Sequence, residues 1–497
     1  MHWINHFWLC TRGVAGYVDP IAAMDFLLQN TLSGHREKVF PADGQTLRFY
    51  CCGPTVYGPA HIGNFRTFAI QDLFRRTAEA IGIRTCHVRN VTDVDDKTIR
   101  ESQKAGLSLK AFTDQWNRRF EDDCKCLNLL EPHHSPSAVS HIPQQIELIQ
   151  RLVDKGLAYK GQDGSVYFRI SAFPDYGKLS GLCREGLVCN ADGRLHSEDE
   201  YGKEDYSDFA LWKAWKEEDG PNRWESPWGP GRPGWHIECS AMSMHYLGES
   251  YDVHSGGVDL VFPHHENEIA QSEGATGKPF ARHWFHPTHL RVEGQKMSKS
   301  LGNLYTLEDI RARGFSPEEL RYVLISGHFR QPLNFTWDSL HAARSALQRL
   351  QKFRLKLSPD KPVVGQPAGS STPGFGIWEP VMASLADDLN AAQALGRLFT
   401  LIPQAESALV SDPSGRESVL AGFDRVMYAF GFRLEVNTAP EGQLEIPADI
   451  HALAEARWQA KQSRDWAKAD ALRGDLSSRG WVVKDTKDGY SLSPVAG

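Results

Sequence analysis

The sequence predicts an α/β protein: a Rossmann-like parallel sheet with an inserted connective region, then an α-helical bundle and a small C-terminal mixed α/β domain. A βαβ pattern predicts the sheet, because apolar runs at residues 47–52 and 85–88 flank a helical pattern from about Ile62 to Ile81. A polar, acidic and turn-rich stretch from Cys183 to Pro233 predicts the insertion. Helical periodicity that dominates after Ser316 predicts the bundle.

Local signals place the elements between the second strand and the insertion. Asp95 and Asp96 follow that strand, and we interpret them as residues that cap the next helix and compensate its dipole. Helices are predicted at about 109–127 and 136–155. Asp163-Gly164 predicts a hairpin that leads into a strand at 166–168.

The C-terminal third is predicted to be mostly helical. One helical pattern runs from Val381 to Ile402 through Asp387–Leu389, and a linker rich in Gly, Pro and Ser covers Pro362 to Gly376. Another pattern runs from Pro447 to Arg479, with Pro447 at a position suited to the first helical turn. Asp488-Gly489 then predicts a closing hairpin.

Composition restricts the class of protein. The 497 residues are 41% hydrophobic and 24% charged, which is ordinary for a soluble globular chain, and no apolar run approaches the roughly 20 residues that span a membrane. The net charge of −7 means that a nucleic acid would have to be met by local basic patches. Nine cysteines without a regular framework favour a reducing compartment, so we expect a cytoplasmic protein. Residues 1–23 make a poor targeting peptide, and we expect Met24 to be the true start.

The stretch from Tyr50 to Asn64 combines a strand, a glycine turn and a helix entrance. This arrangement directs backbone N–H groups and the positive end of a helix dipole toward the carboxyl edge of the sheet, so it predicts an anion site. It is not a P-loop, because no Gly-Lys-Ser/Thr follows. Instead it presents a thiol, Cys52, at the strand end and an imidazole, His61, at the helix entrance.

Four side chains form a candidate metal set. His264 and Glu268 are four residues apart, so a helix would place them on one face. Together with Cys52 and Cys239 they offer two sulfurs, one nitrogen and one oxygen, a plausible tetrahedral zinc set. The residues alone leave alternatives open: buried cysteines are often plain hydrophobic residues, and the rival ligands are His236 and His265. Cys183 and Cys189 lack the spacing and the partners of a metal knuckle.

Two further stretches suit a nucleotide. Lys296 and Lys299 flank small polar residues in a loop that could close over a triphosphate and neutralise a departing pyrophosphate, although a solvated surface turn explains the same composition. Gly256-Gly257-Val258-Asp259 follows a predicted strand, where glycines admit a nucleotide and an aspartate accepts ribose hydroxyls.

Together these motifs resemble a known family. His61-Ile62-Gly63-Asn64 and Lys296-Met297-Ser298-Lys299-Ser300 resemble the two signatures of class I aminoacyl-tRNA synthetases. The segments 52–57, 231–239 and 262–268 are similar to cysteinyl-tRNA synthetases in particular, and the resemblance runs from about Met24 to the end. Asn64 departs from the general class I signature, which has histidine there; asparagine can donate a hydrogen bond but cannot become a cation.

The resemblance implies roles for individual residues. One Zn²⁺ per subunit would be held by Cys52, Cys239, His264 and Glu268. Cysteine would be bound by Gly53, Thr55 and Trp235. ATP, as its Mg²⁺ complex, would be bound by His61, Gly63, Asn64, Gly257, Asp259 and Lys299. The catalytic residues would be His61, Lys296 and Lys299.

The resemblance also implies partners and a domain organisation. The expected substrates are L-cysteine, ATP and tRNA(Cys), with no membrane and a monomeric state. Seven segments are predicted: an N-terminal extension (1–23), the first half of the Rossmann catalytic domain (24–135), a connective insertion (136–229), the second half of that domain (230–275), a loop-bearing linking domain (276–335), a helical bundle (336–435) and an anticodon-binding domain (436–497).

Two rival functions remain on sequence grounds. The paralogous ligase of mycothiol synthesis joins cysteine to an amino sugar and shares the zinc ligands and both signatures, but it lacks the final tRNA-reading segment. Here that segment is present and carries basic residues between Arg457 and Lys487, interleaved with aspartates as on an ordinary solvated helix. The second rival, a non-enzymatic RNA-binding paralogue, is disfavoured by intact His61, Lys299 and the four candidate ligands.

Overall fold

The protein is described by a computed structural model that covers residues 24–182, 208–358, 374–434, 447–463, 465–486 and 489–494. Three expectations fall outside these residues: the N-terminal extension, the two cysteines Cys183 and Cys189, and most of the linker before Gly376. The chain divides into two compact units, residues 1–434 and 435–497. The seven domain boundaries given above remain predictions.

The strands and helices are numbered in chain order. The strands are β1 (Leu27–Gln29), β2 (Arg36–Lys38), β3 (Leu47–Cys51), β4 (Thr85–Arg89), β5 (Ala158–Lys160), β6 (Val166–Phe168), β7 (Phe209–Ala214), β8 (Gly231–Pro233), β9 (Tyr251–Ser255), β10 (Ala281–Phe285), β11 (Leu290–Val292), β12 (Gln295–Lys296), β13 (Leu333–Phe335), β14 (Trp481–Thr486) and β15 (Gly489–Pro494). The helices are α1 (Ile62–Ala80), α2 (Asp96–Lys104), α3 (Leu109–Cys126), α4 (Ile142–Asp154), α5 (Trp235–Leu247), α6 (Glu266–Thr276), α7 (Leu307–Ala312), α8 (Pro317–Ile325), α9 (Trp337–Leu357), α10 (Glu379–Ala386), α11 (Ala391–Ser411), α12 (Arg416–Phe430), α13 (Ala448–Gln462) and α14 (Trp466–Ser478).

The central sheet has the strand order β10-β9-β3-β4, and every pair is parallel. The predicted βαβ unit is confirmed, because α1 connects the neighbouring strands β3 and β4. β4 and β9 are buried along their full length, as is usual in a parallel sheet. Cys51 at the end of β3 pairs with both Arg89 and Ser255, so three strands end at one level.

The two aspartates after β4 have different roles. Asp95 is the N-cap of α2 and accepts a hydrogen bond from the backbone N–H of Lys97 at 2.7 Å, which confirms its prediction as a capping residue. Asp96 lies in the first turn but also binds Lys213 at 3.0 Å and contacts Arg232. Burial alone would raise the pKa of Asp96, but these two cations outweigh it and lower the pKa.

A second, antiparallel sheet has the order β5-β6-β7-β8. The predicted hairpin at Asp163-Gly164 joins β5 to β6, and Gly164 has a φ of +87°, which favours glycine. β8 pairs with β7 immediately before α5, so this sheet leads the chain directly into the helix that starts at Trp235.

The helical region after Ser316 is confirmed, but one predicted helix is wrong. Ser316 and Thr336 cap α8 and α9 through their side chains. The pattern from Val381 to Ile402 is two helices, because Asp388 and Leu389 adopt left-handed φ values of 64° and 48°. The buried carboxylate of Asp388 accepts a hydrogen bond from the Gln29 N–H at 2.9 Å, and this tertiary contact holds the break.

The second unit contains two helices and a hairpin. The continuous helical pattern from Pro447 to Arg479 is also wrong in detail, because α13 ends at Gln462 and Asp465 caps a new helix by accepting from Lys468 N at 3.2 Å. Pro447 precedes α13 as its N-cap. β14 and β15 pair antiparallel as predicted, although the turn residue Asp488 lies outside the described residues.

Among the described residues, no helix combines the length and the apolar character that crossing a bilayer requires.

Asp72 on α1 is buried, and its replacement is expected to lower the stability of the protein strongly. Its carboxylate accepts from Arg76 Nε at 2.8 Å, Arg321 Nη2 at 2.5 Å and Leu130 N at 2.7 Å. Asp72→Ala is expected to lower the free energy of unfolding by about 3–5 kcal/mol, measured by urea denaturation, because two buried guanidinium groups would lose their anion. Asp114→Ala is the control: it removes an exposed i,i+4 partner of Lys110 and should cost less than about 1 kcal/mol. Equal losses in the two variants would contradict the prediction.

The pH dependence of this contribution has a definite sign. Burial alone would raise the pKa of Asp72, but Arg76, Arg321 and the Leu130 amide outweigh it and lower the pKa. The stabilisation is therefore present above the unfolded-state pKa of about 3.9 and is lost only as the pH falls through the lower folded-state pKa. The difference in unfolding free energy between the wild type and Asp72→Ala should be constant from neutral pH to about pH 5 and should shrink in stronger acid.

Candidate active site and metal centre

A cavity of about 290 Å³ opens at the carboxyl ends of β3, β4 and β9. Both the strand-turn-helix stretch and the candidate metal set contribute to its wall. The sequence-predicted residues among its lining are Cys52, Gly53, Thr55, His61, Asn64, Trp235, Cys239, Gly257, Asp259 and His264. Glu268 lies behind this surface, and Gly63, Lys296 and Lys299 do not line the cavity.

Cys51 and Cys52 lie on opposite faces of the sheet. Cys51 packs into the hydrophobic core with Phe49 and Ile62, and burial raises its pKa, so it is a neutral core thiol. Cys52, one residue past β3, packs instead with Cys239 and lines the cavity. The alternation of side chains along a strand therefore separates a structural cysteine from a site cysteine.

The four candidate ligands meet. Cys52, Cys239, His264 and Glu268 are all buried, and their ligand atoms lie within 4.8 Å of one another. The two sulfurs are 4.0 Å apart, Cys52 Sγ is 3.7 Å from Glu268 Oε1, and His264 Nε2 is 3.0 Å from the same oxygen.

These spacings fit zinc. Ligands at ordinary zinc distances and tetrahedral angles would be separated by about 3.8 Å between two sulfurs, about 3.6 Å between sulfur and oxygen and about 3.4 Å between nitrogen and oxygen. The donor set of two sulfurs, one imidazole and one carboxylate is also one that zinc prefers. Glu268 Oε2 is buried and makes no hydrogen bond among the described residues, and His254 Nε2 lies 3.4 Å from it. A bound cation would satisfy this carboxylate.

A second histidine-rich set shares two of these residues. Cys52 and Glu268 also lie within ligand distance of His254 and His265, whose Nε2 atoms are 3.5 Å and 3.3 Å from Cys52 Sγ. His265 Nδ1 is 2.8 Å from His286 Nε2. The predicted rival His265 is thus adjacent to the cluster. His236 instead lies behind His264, with the two Nδ1 atoms 3.0 Å apart.

The cluster concentrates ionisable groups away from water. Burial and the neighbouring Cys239 raise the pKa of Glu268 to about 8. Burial alone would lower the pKa of His264, but Glu268 and Cys239 outweigh it and raise the pKa to about 10. Burial and the adjacent Cys239 sulfur also raise the pKa of Cys52. A divalent cation bound between Cys52, Cys239 and Glu268 would stabilise their anionic forms together, and His264 would then bind it as a neutral ring.

His61 and Asn64 form a reciprocal cap at the start of α1. The Asn64 backbone N–H donates to His61 Nδ1 at 3.2 Å, and the His61 backbone N–H donates to Asn64 Oδ1 at 3.1 Å. Because Nδ1 accepts a hydrogen bond, the His61 ring carries its own hydrogen on Nε2. Burial also lowers the pKa of His61, so the ring is neutral at pH 7. His61 therefore offers one N–H donor at a helix N-terminus.

The lysine loop lies against this helix entrance. A Cβ added to Gly63 would be only 2.9 Å from Met297 Sδ, so Gly63 allows the loop to approach. The Ile62 N–H also donates to Tyr305 O at 2.8 Å. The two signature motifs are thus in contact, although Lys296 in β12 and Lys299 in a short 3₁₀ turn are largely solvent-exposed. Lys299 Nζ is 5.9 Å from the centre of the Tyr57 ring.

The residues predicted to contact the amino acid line the same cavity as the candidate metal set. The Trp235 ring stacks on His264 with centroids 4.4 Å apart. Gly53 packs so closely that an added Cβ would lie 1.7 Å from Asn90 O, and its N–H donates to Asn90 Oδ1 at 2.8 Å. Thr55 forms a parallel bridge with Thr92. Gly257 and Asp259 line the cavity as predicted neighbours of a ribose.

The sequence analysis assigned no role to several residues of the cavity wall, including Asn90, Thr92 and Trp116. Asn90 and Thr92 follow β4 at the same sheet edge as Cys52, so the rule that parallel strands present their carboxyl ends together could have identified them. Trp116 comes from the middle of α3, where no local signal distinguishes it from a core residue.

Comparisons with known proteins agree with this geometry. Residues 38–345 match the family described as tRNA synthetases class I (C) catalytic domain, and residues 444–490 match the cysteinyl-tRNA ligase anticodon binding domain. A cysteine–tRNA ligase of Opitutus terrae is 52% identical over 90% of this chain and 94% of its own length. Another, of Chlamydia muridarum, is 44% identical over 95% of this chain and 100% of its own length.

A solved structure shares the fold at much lower sequence identity. Methionyl-tRNA synthetase of Mycobacterium tuberculosis, bound by methionyl-adenylate, has a TM-score of 0.54 and 16% identity over 78% of this chain and 89% of its own. The family match covers more than half of the residues, and the curated relatives exceed 40% identity over nearly their whole length. The chain therefore belongs to the cysteine–tRNA ligase family of class I aminoacyl-tRNA synthetases.

Proposed function

We propose that this ligase activates L-cysteine with ATP and transfers it to tRNA(Cys), and that it recognises the substrate sulfur through zinc. The observation that carries the proposal is the convergence of Cys52, Cys239, His264 and Glu268, of which the first three line the cavity that also contains His61. Recognition of the substrate and activation of its carboxylate would thus occur in one enclosed space.

We assign one Zn²⁺ per subunit to these four side chains, because their donor types and separations fit that ion. When bound there, zinc supplies affinity for a thiolate, which a serine hydroxyl cannot match because it ionises far less readily. Shape alone would discriminate such similar substrates by only about 10–200-fold. Trp235, stacked on His264, closes the amino-acid pocket with Gly53 and Thr55.

The first step is attack of the cysteine carboxylate on the α-phosphate of ATP, which forms cysteinyl-adenylate and releases pyrophosphate. His61 would donate its Nε2–H to a phosphate oxygen, assisted by the N-terminus of α1. Asn64 orients His61 through the reciprocal cap, and Gly63 leaves room for the nucleotide and the loop. Lys296 and Lys299 would neutralise the leaving pyrophosphate, whose charge Mg²⁺ also screens.

The second step is attack of a ribose hydroxyl at the tRNA 3′ end on the acyl carbon, which releases AMP. Gly257 and Asp259 would hold the adenylate ribose during this step. The match to an anticodon-binding domain at residues 444–490 supports tRNA as the acceptor over an amino sugar. The monomeric state and the cytoplasmic location remain predictions from the sequence.

Pyrophosphate exchange followed by charging tests the proposal. With ATP and labelled pyrophosphate, the purified protein should show exchange that depends on cysteine, and it should then charge tRNA(Cys). Serine should support exchange at least about 1000-fold less well, beyond the limit for shape alone. Elemental analysis should find one zinc per chain. Comparable rates with serine would contradict the zinc-based recognition, and exchange without charging would instead favour the amino-sugar ligase.

A further inference from the structure

Trp116 is an aromatic residue of the cavity to which neither half of the proposed chemistry assigns a role. It lies on one face of α3 with Phe112 and Phe120, which are four residues before and after it, and the Phe112 and Trp116 rings pack edge to face. Phe112 and Phe120 are buried, whereas Trp116 is only half-buried. Trp116 and Phe120 both line the cavity. Its indole Nε1 is enclosed and, among the described residues, has no hydrogen-bond acceptor.

Tyr57 and Lys97 line the same cavity and are also unassigned. Tyr57 is 36% exposed, and Lys97 Nζ lies 5.6 Å from the centre of its ring. Lys97 occupies the second position of α2, where a cation is disfavoured by the helix dipole. Lys97 is solvent-exposed beside the Tyr57 ring, so its charge is available to an anionic ligand in the cavity.

Two aromatic rings and one cation are the residue types that bind the end of a single-stranded nucleic acid. Such sites stack bases on aromatic rings and hold the backbone with cations. The residues proposed for cysteine, Gly53, Thr55 and Trp235, do not include any of them. The transfer step requires that a ribose at the tRNA 3′ end reach the adenylate, so its terminal nucleotide must enter this cavity.

We propose that Trp116, with Tyr57 and Lys97, binds the 3′-terminal adenosine of tRNA during the transfer step. The base stacks on the Trp116 indole. Lys97 contacts the terminal phosphodiester beside the Tyr57 ring. This inference rests on the proposed function, and it assigns to these residues a role in transfer but not in activation.

Separate measurement of the two steps tests it. Trp116→Ala should lower kcat/KM for tRNA in charging by about 10- to 100-fold, the range for loss of one base–aromatic stack. Trp116→Phe should recover most of that loss, because it keeps a stacking surface. Cysteine-dependent exchange, which needs no RNA, should stay within about twofold of the wild type. Gln115→Ala, an exposed neighbour on α3, is the matched control and should leave both steps unchanged.

Other outcomes have distinct meanings. A rise in the KM for ATP in exchange with Trp116→Ala would overturn the proposal and assign the ring to the ATP adenine. Unchanged charging in that variant would also overturn it. If Trp116→Ala does not fold, Lys97→Met decides: the KM for tRNA should rise several-fold with exchange unchanged, and an unchanged KM would count against the site. Absence of exchange in the wild type would instead refute the proposed function itself.

Discussion

Replacing Cys52 with alanine is expected to remove most of the bound zinc and to lower cysteine-dependent pyrophosphate exchange by more than about 100-fold. Loss of a neighbour that only supports a metal ligand already costs about 10–100-fold in affinity or activity, and Cys52 is predicted to be a ligand itself. Its Sγ lies 4.0 Å from Cys239 Sγ and 3.7 Å from Glu268 Oε1, so its removal opens one side of the cluster. Elemental analysis and exchange assays on the same preparation measure both effects.

Cys51→Ala is the matched control, because it makes the same cysteine-to-alanine replacement at the adjacent position. Cys51 lies in the core beside Phe49, on the other face of the sheet. The variant should keep one zinc per chain and normal discrimination against serine, with some loss of stability from the small cavity. Zinc loss in Cys51→Ala, with retention in Cys52→Ala, would mean that the structure assigns these two cysteines to the wrong faces.

Cys239→Ser probes the same centre from α5. Serine keeps the size of the side chain but provides a much weaker zinc ligand. We expect lower zinc content and a larger share of exchange supported by serine. Unchanged metal content together with unchanged cysteine-to-serine discrimination would show that Cys239 does not bind the metal.

Local sequence signals identified individual residues of this site, but they did not show which of these residues come together in space. The strand-turn-helix from Tyr50 to Asn64 follows from residues close in the chain, and the structure confirms it. By contrast, Cys52 and Glu268 are separated by 216 positions, and only the pairing of β3 with β9 brings their elements together. Spacing along the chain therefore supported a metal set only weakly, and the family resemblance predicted these four residues as ligands.

The errors have a common physical origin. The helix predicted through Asp387–Leu389 breaks because the buried Asp388 carboxylate binds residues distant in sequence, including Arg330 and the Gln29 N–H. Periodicity cannot detect such a contact, since the apolar pattern continues through the break. His254 was missed for a similar reason: it is a strand residue whose proximity to Cys52 depends on sheet register.

Replacing His61 with asparagine is expected to lower the rate of cysteine-dependent exchange by about 100- to 1000-fold without lowering the thermal stability of the protein. Asparagine is among the best N-cap residues, so its side chain can accept the Asn64 N–H in place of His61 Nδ1. It cannot present a donor where the more distant Nε2–H lies. Loss of one such donor to developing charge typically costs this much in rate.

Two comparisons separate catalysis from helix capping. His61→Ala should lose both the Nε2–H donor and the helix cap. We expect a similar fall in rate, together with an unfolding free energy lower by about 1 kcal/mol. Thr336→Ala removes the cap of α9 and should lower stability by a similar amount while leaving exchange unchanged. Normal exchange in His61→Asn would show that the imidazole acts only as a cap.

The protonation state of His61 determines how the rate should vary with pH. Since burial lowers its pKa and Nδ1 accepts the Asn64 N–H, the neutral ring is the form that both caps the helix and donates from Nε2. Protonation at Nδ1 would break the cap. The wild-type exchange rate, measured at saturating ATP and cysteine, should therefore show no fall attributable to His61 as the pH rises from 7 to 8.5, and it should fall in acid. A decline with rising pH that disappears in His61→Asn would identify the imidazolium as the active form.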